Sequence, residues 1–147
     1  MTNRKKTFRP KKSENSFFWL KNNLDFEIVY KNGQVIISDD KKIKAKYLFL
    51  KEDENNNKVI KAGLSVISKK GNSVWRNRFK RILREILSKD LKLLSVVTEQ
   101  KNASLQIIFS PYSIDQNNSK KIYLKNIEPS VLDILNKLLT RISTKPA

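Results

Sequence analysis

An α+β fold, with helices packed on one small sheet, is what this sequence predicts. Three observations carry that expectation. Apolar residues recur at helical spacing in three segments, short runs rich in β-branched and aromatic residues lie between them, and 147 residues suit one domain. A hydrophobic share of 39% is enough for a core, while 31% charged residues leave a heavily solvated exterior. The expected order is helix, three strands, helix, strand, helix, with no internal repeat.

Residues 1–15 carry Arg4, Lys5, Lys6, Arg9, Lys11 and Lys12 with no apolar period, and read as a disordered basic arm. From Ser16 to Tyr30, Phe17, Leu20, Leu24 and Ile28 step by three and four. Phe18, Phe26, Val29 and Tyr30 widen that stripe, and Lys31-Asn32-Gly33 closes a first helix. Strands are expected at Val35–Ile37, Ala45–Lys51 and Lys58–Ser68, with the Asp53–Asn57 turn joining the last two as a hairpin. Gly71-Asn72-Ser73 offers a break and an N-cap. Behind it Trp75, Phe79, Ile82, Leu83, Ile86 and Leu87 form the most regular helical stripe in the chain. Leu105–Phe109 reads as a short strand ended by Ser110-Pro111, and Ser113–Lys121 as a polar loop. Pro129 fits the first position of a last helix whose apolar face is Val131, Leu132, Leu135, Leu138, Leu139 and Ile142. The domain is thus expected over residues 16–142, followed by a tail at 143–147.

Charge is the strongest compositional signal. Lys and Arg number 31 against 14 Asp and Glu, a formal +17, so the natural partner is a polyanion. No Cys or His is present, which removes disulfides, zinc fingers, a Cys nucleophile and a His general base. The acids are scattered, and the turn Glu52-Asp53-Glu54-Asn55-Asn56-Asn57 reads as a solvated tip rather than a metal site, so neither a catalytic side chain nor a metal ligand is assigned. Uncharged apolar runs such as Ser16–Leu20 fall far short of the roughly 20 residues of a membrane span. No apolar segment of signal-peptide length follows the basic N-terminus, so the cytoplasm is the expected location.

The helix that begins near Trp75 separates its residue types by face. With Trp75 as zero, its apolar side chains fall between about −20° and 120°, and Asn77, Lys80, Arg81 and Arg84 between about 140° and 240°. Arg76 and Arg78 flank that polar face. From Lys69 to Arg84 seven residues are basic (Lys69, Lys70, Arg76, Arg78, Lys80, Arg81, Arg84), and no acid occurs before Glu85. An ordinary solvated helix mixes signs and forms Glu–Lys pairs; this face repels itself until an anion arrives. Guanidinium forks suit phosphate and base edges, and Asn77 adds a neutral donor and acceptor. Lys69 and Lys70 also fit a plain strand end.

Several stretches together resemble the bacterial ribonuclease P protein family. They are Gly63-Leu64-Ser65-Val66, Ser68-Lys69-Lys70-Gly71-Asn72-Ser73-Val74, Arg76-Asn77-Arg78-Phe79-Lys80-Arg81 with Arg84-Glu85, and upstream Leu24-Asp25-Phe26-Glu27-Ile28-Val29-Tyr30-Lys31-Asn32-Gly33. The resemblance spans roughly Leu20 to Ile142, and the Arg-Asn-Arg triplet in this setting is its most specific part. It implies a mixed sheet with a left-handed parallel crossover, an exception to the usual right-handed rule. It also implies an accessory subunit of a ribozyme that removes the 5′ leader of precursor tRNA, with the catalytic RNA as partner and holding most of the Mg²⁺. Neither a membrane nor a small-molecule cofactor is implied. Lys69, Lys70, Arg76, Asn77, Arg78, Lys80, Arg81 and Arg84 would then meet the catalytic RNA. Phe26 and Tyr30 match the aromatic cleft positions that take the single-stranded leader, where flat rings stack unpaired bases. Being four apart on a helix, both side chains also fit a core; Phe26 suits either place equally, and the polar tip of Tyr30 favours the cleft.

Two other functions share parts of this pattern. A ribosomal-protein-like structural RNA binder would use the same charge and the same basic helix, but has no need of an aromatic groove for single strands. A self-sufficient nuclease would need a carboxylate cluster or a His, and neither is found in the sequence.

Overall fold

The first helix starts at Asn22, whose side-chain oxygen accepts from the backbone N–H groups of Leu24 (2.9 Å) and Asp25 (3.3 Å). In the computed structural model, which describes residues 16–50 and 58–144, this helix, α1 (Asn23–Asn32), is ten residues long. The arm at 1–15 and the acidic turn at 52–57 lie outside the described residues. Ser16–Trp19 is a strand, β1, and not the start of the helix expected over Ser16–Tyr30. Phe17 and Trp19 are half-buried on either side of an exposed Phe18, which is a period of two. The steps of three and four that ran from Phe17 through Leu24 to Ile28 were a coincidence. Leu24 and Ile28 face solvent, and the helix buries Val29 instead.

The remaining strands are β2 (Gln34–Ile37), β3 (Ile43–Leu50), β4 (Val59–Leu64) and β5 (Ser104–Pro111), and the sheet order is β1-β4-β5-β3-β2. β4 pairs parallel with both β1 and β5, while β5–β3 and β3–β2 are antiparallel. A hairpin joining β3 to β4 is therefore ruled out, because β5 lies between them. Leu105, Ile107 and Phe109 point to one side and Ile108 to the other, all buried, and a strand covered on both faces belongs in the middle of a sheet. The hairpin that does form joins β2 to β3. There the Ser38 N–H donates to the Ile43 carbonyl, and Lys41 takes a positive φ of 66°.

Three helices cover one face: α2 (Ser73–Lys89), α3 (Leu91–Lys101) and α4 (Leu124–Thr144). Trp75, Phe79, Leu83, Ile86 and Leu87 of α2 meet Val131, Leu135 and Leu138 of α4 over Ala45, Ala62 and Ile107 of the sheet. α3 adds to the expected order. It buries Leu94 and Val97 and ends on Asn102 in the left-handed conformation. The parallel β4-to-β5 connection passes through α2 and α3. Pro129 is not the first residue of α4 but lies inside it, since burial of Ile127 holds an extra turn before it. The ring deprives the Lys125 carbonyl of its intrahelical donor, a cost that Pro carries past the first turn of a helix. The helix also runs two residues past the Ile142 boundary.

α4 is tied to the β2–β3 turn by polar contacts. Ser130 donates to Asp40 Oδ2 (2.6 Å), Lys137 reaches Asp39 (2.6 Å) and the Ile37 carbonyl (2.8 Å), and Asp133 accepts from the Asp39 N–H (2.7 Å). Burial pushes the Asp40 carboxyl up. Hydrogen bonds from Ser130 and Ser38, the Lys42 N–H and the Lys42 charge outweigh it and hold the group below the ordinary aspartate value. A carboxyl depressed in the folded state stabilises above the unfolded pKa, near 4, and that contribution is lost as pH falls through the folded value. Ser130→Ala is therefore expected to reduce the difference in unfolding free energy between pH 7 and pH 3, measured by urea titration. An unchanged difference would show that the Asp40 contact adds nothing.

Candidate nucleic-acid interface

α2 carries the basic face on a rigid base. Asn72 Oδ1 accepts from the Trp75 N–H (2.9 Å), and the Trp75 ring stacks on Phe79 at 5.6 Å. Behind this cap the polar loop at 112–123 docks against the start of the helix. Gln116 donates its N–H to the Lys70 carbonyl (2.7 Å) and accepts from the Asn72 N–H (2.9 Å). Trp75 Nε1 donates to the Ser119 carbonyl (2.8 Å). Gly71 makes this approach possible: a Cβ there would stand 2.9 Å from the Trp75 ring and 3.0 Å from Gln116.

That docking also aims guanidinium groups. Arg76 Nε donates to the Gly71 carbonyl (3.0 Å), and Arg78 Nε donates to the Ile122 carbonyl (2.9 Å) with its plane 5.7 Å from the Tyr123 ring. Each Arg is held through one nitrogen and presents its outer edge for a bidentate anion contact. Asn77, Arg81 and Arg84 are exposed and Lys80 is half-buried on the same outward side. Among the described residues, no carboxylate pairs with Arg76, Arg78, Lys80, Arg81 or Arg84. The sequence identified these cations; it did not identify Gln116, Ser119, Ile122 and Tyr123, whose contacts span some 44 positions.

A groove of about 540 Å³ lies on the other face of the sheet, lined by Tyr30, Lys44, Ser65, Ile67, Lys70 and Tyr112 among others. Tyr30 is 41% exposed, with Lys46 Nζ 5.6 Å above its ring and bonded to its carbonyl (2.5 Å). Lys44 stands 5.8 Å over Tyr112. Phe26 is packed instead against Leu20, Val29 and Ile108, and a Cβ on Gly63 would lie 2.9 Å from its ring. Its ring centroid is 6.4 Å from that of Tyr30, and it packs next to the groove without lining it. Lys70, grouped in the sequence with the α2 cations, lines the groove and donates to the Tyr112 carbonyl, while Lys69 is exposed beside it. The period-two spacing of Lys44 and Lys46 on β3 could have placed both on this face. Tyr112 and Ile67 gave no local signal.

A mixed five-stranded sheet, a helix presenting cations without carboxylate partners, and a groove of exposed aromatics under lysines are the features of a small RNA-binding protein. The ribonuclease P family profile matches residues 16–128, and the chain belongs to that family. It is 34% identical over 70 residues to the ribonuclease P protein component of Macrococcus caseolyticus, covering 48% of this chain and 56% of that one. Against the Bacillus pumilus protein component it is 29% identical over 117 residues, covering 69% and 93%. The structure of the Thermotoga maritima ribonuclease P protein superposes with a TM-score of 0.62 at 18% identity, covering 80% and 94%. No helix among the described residues is long and apolar enough to cross a membrane.

Proposed function

We propose that this chain is the protein subunit of the ribozyme ribonuclease P, supporting 5′-end maturation of tRNA. Its α2 face binds the catalytic RNA, and the Tyr30 groove takes the single-stranded 5′ leader of precursor tRNA. The observation that carries the reading is the pairing of these two surfaces at Lys70. The residue lines the groove, and it is two positions before the Asn72 cap of α2. An RNA held on α2 and a strand held in the groove would therefore be neighbours. A structural RNA binder needs only the first surface.

The chain's own part is to bind and orient. Cations on α2 neutralise phosphates, and Tyr30 and Tyr112 offer flat faces to bases of any sequence. Among the described residues no three His, Cys, Asp or Glu side chains form a set that could hold a metal. No step is placed on an ion bound by this chain. The reading leaves Mg²⁺ and the cleavage chemistry to the RNA.

Tyr30→Leu tests the groove because it removes a stacking face at an exposed position. Affinity for precursor tRNA, measured on the reconstituted complex, is expected to fall by about 1–3 kcal/mol with mature tRNA and catalytic RNA unaffected. Phe26→Leu is expected instead to lower thermal stability, since its ring fills the space above Gly63. Equal weakening of all three RNAs by Tyr30→Leu would remove the leader assignment. Cleavage of labelled precursor by the protein without RNA would overturn the reading itself.

A further inference from the structure

A second cavity, of about 640 Å³, is used by neither surface. It opens where Asn32 ends α1, Gln34 begins β2, Phe49 lies on β3, Lys101 ends α3 and Arg141 sits in the last turn of α4. Tyr47 and Phe49 share a sheet face, and strand alternation puts Lys44 and Lys46 of the Tyr30 groove on the other. The cavity therefore lies across the sheet from that groove.

Its lining is aromatic and cationic. Phe49 is half-buried, edge-on to Tyr47 at 5.7 Å, with Lys101 Nζ 5.5 Å above its ring. Arg141 lies 5.9 Å from the Tyr47 ring and donates through Nη1 to the Tyr47 hydroxyl (3.1 Å). That hydroxyl donates to Gln34 Oε1 (2.9 Å), which turns the Gln34 amide so that its NH₂ is left as a donor. The residues lining the cavity include two cations and no carboxylate. A helix C-terminus favours one cation on each of α3 and α4. It does not account for both converging over adjacent rings.

We propose that this cavity binds an unpaired nucleotide of an RNA strand. The base stacks on Phe49 in place of the Lys101 ammonium, which swings with Arg141 to the phosphate, and the Gln34 and Asn32 amides meet the base edge. A flat anion uses every group present, whereas an acidic peptide would take the cations and leave the ring idle. The volume is within the range of small-molecule sites. This inference rests on the chain being an RNA-binding subunit, and it adds a third point of RNA contact.

The test is an NMR titration of the full chain with an oligo(A) pentamer, and separately with adenosine 5′-monophosphate, at about 150 mM salt. Saturable shifts are expected at Phe49, Lys101 and the Gln34 amide. Pentamer affinity is expected to be roughly tenfold weaker in Phe49→Leu and in Arg141→Ala. Arg141 is exposed, so its variant reports even if Phe49→Leu fails to fold. Shifts confined to α2 and the Tyr30 groove, or unchanged affinity in Arg141→Ala, would overturn the inference while catalytic-RNA binding stood. Occupation by the mononucleotide with the pentamer excluded would also overturn it. Loss of all RNA binding by the unaltered protein would overturn this inference and the subunit reading together.

Discussion

Affinity for the catalytic RNA is expected to fall about 10²- to 10⁴-fold between 50 and 200 mM salt, because about six to eight phosphate contacts imply a log–log slope of roughly −4 to −7. Those contacts are assigned to the α2 face with Lys69 and Lys70. Arg81→Ala and Arg84→Ala together are expected to reduce the slope by about two. Arg76→Ala and Arg78→Ala are expected to lose more affinity than Arg4→Ala, since the Gly71 and Ile122 carbonyls already hold these two guanidiniums in place. Filter binding across a salt series measures all of this. A slope near −1, or equal losses at Arg4, Arg76 and Arg78, would mean that bulk charge alone attracts the RNA.

The opposite side of the same helix should show the largest effect on stability. Phe79 is fully buried, stacked on Trp75 and facing the α4 side of the core. Phe79→Ala is expected to cost about 3–5 kcal/mol in urea unfolding, much of the stability of an ordinary domain. RNA binding should decline with it, because the cations would lose their support. Arg81→Ala, exposed two residues further on and on the opposite side of the helix, is expected to stay within about 0.5 kcal/mol of the unaltered protein. A Phe79→Ala cost below about 1 kcal/mol would show that α2 does not anchor the core.

Much of the fold and half of the candidate interface were legible because they depend on neighbours in sequence. The α2 stripe, its Asn72 cap and its run of cations sit within two dozen residues, and a period of 3.6 sorts them into faces without further information. Resemblance to a known family then singled out Tyr30, which is exposed and lines the groove. The same kind of reasoning failed at Phe17 and Leu24, where a strand and a helix abut and their separate periods happen to read as one.

Composition, charge and local periodicity by themselves determined the α+β class and the residues of the basic face, and pointed to a polyanionic partner. Those follow from counts and from spacings of four residues or fewer, and no distant contact can alter them. Only the tertiary structure decided that β5 enters between β3 and β4, that Phe26 packs next to the groove while Tyr30 lines it, and that the loop at 112–123 clamps the start of α2. It also brought Phe49, Lys101 and Arg141 to one cavity. Each of these joins residues some 35 to 100 positions apart. Such pairings are chosen by how much apolar surface the whole chain can bury at once, with every backbone group bonded, and no short window of sequence carries that information.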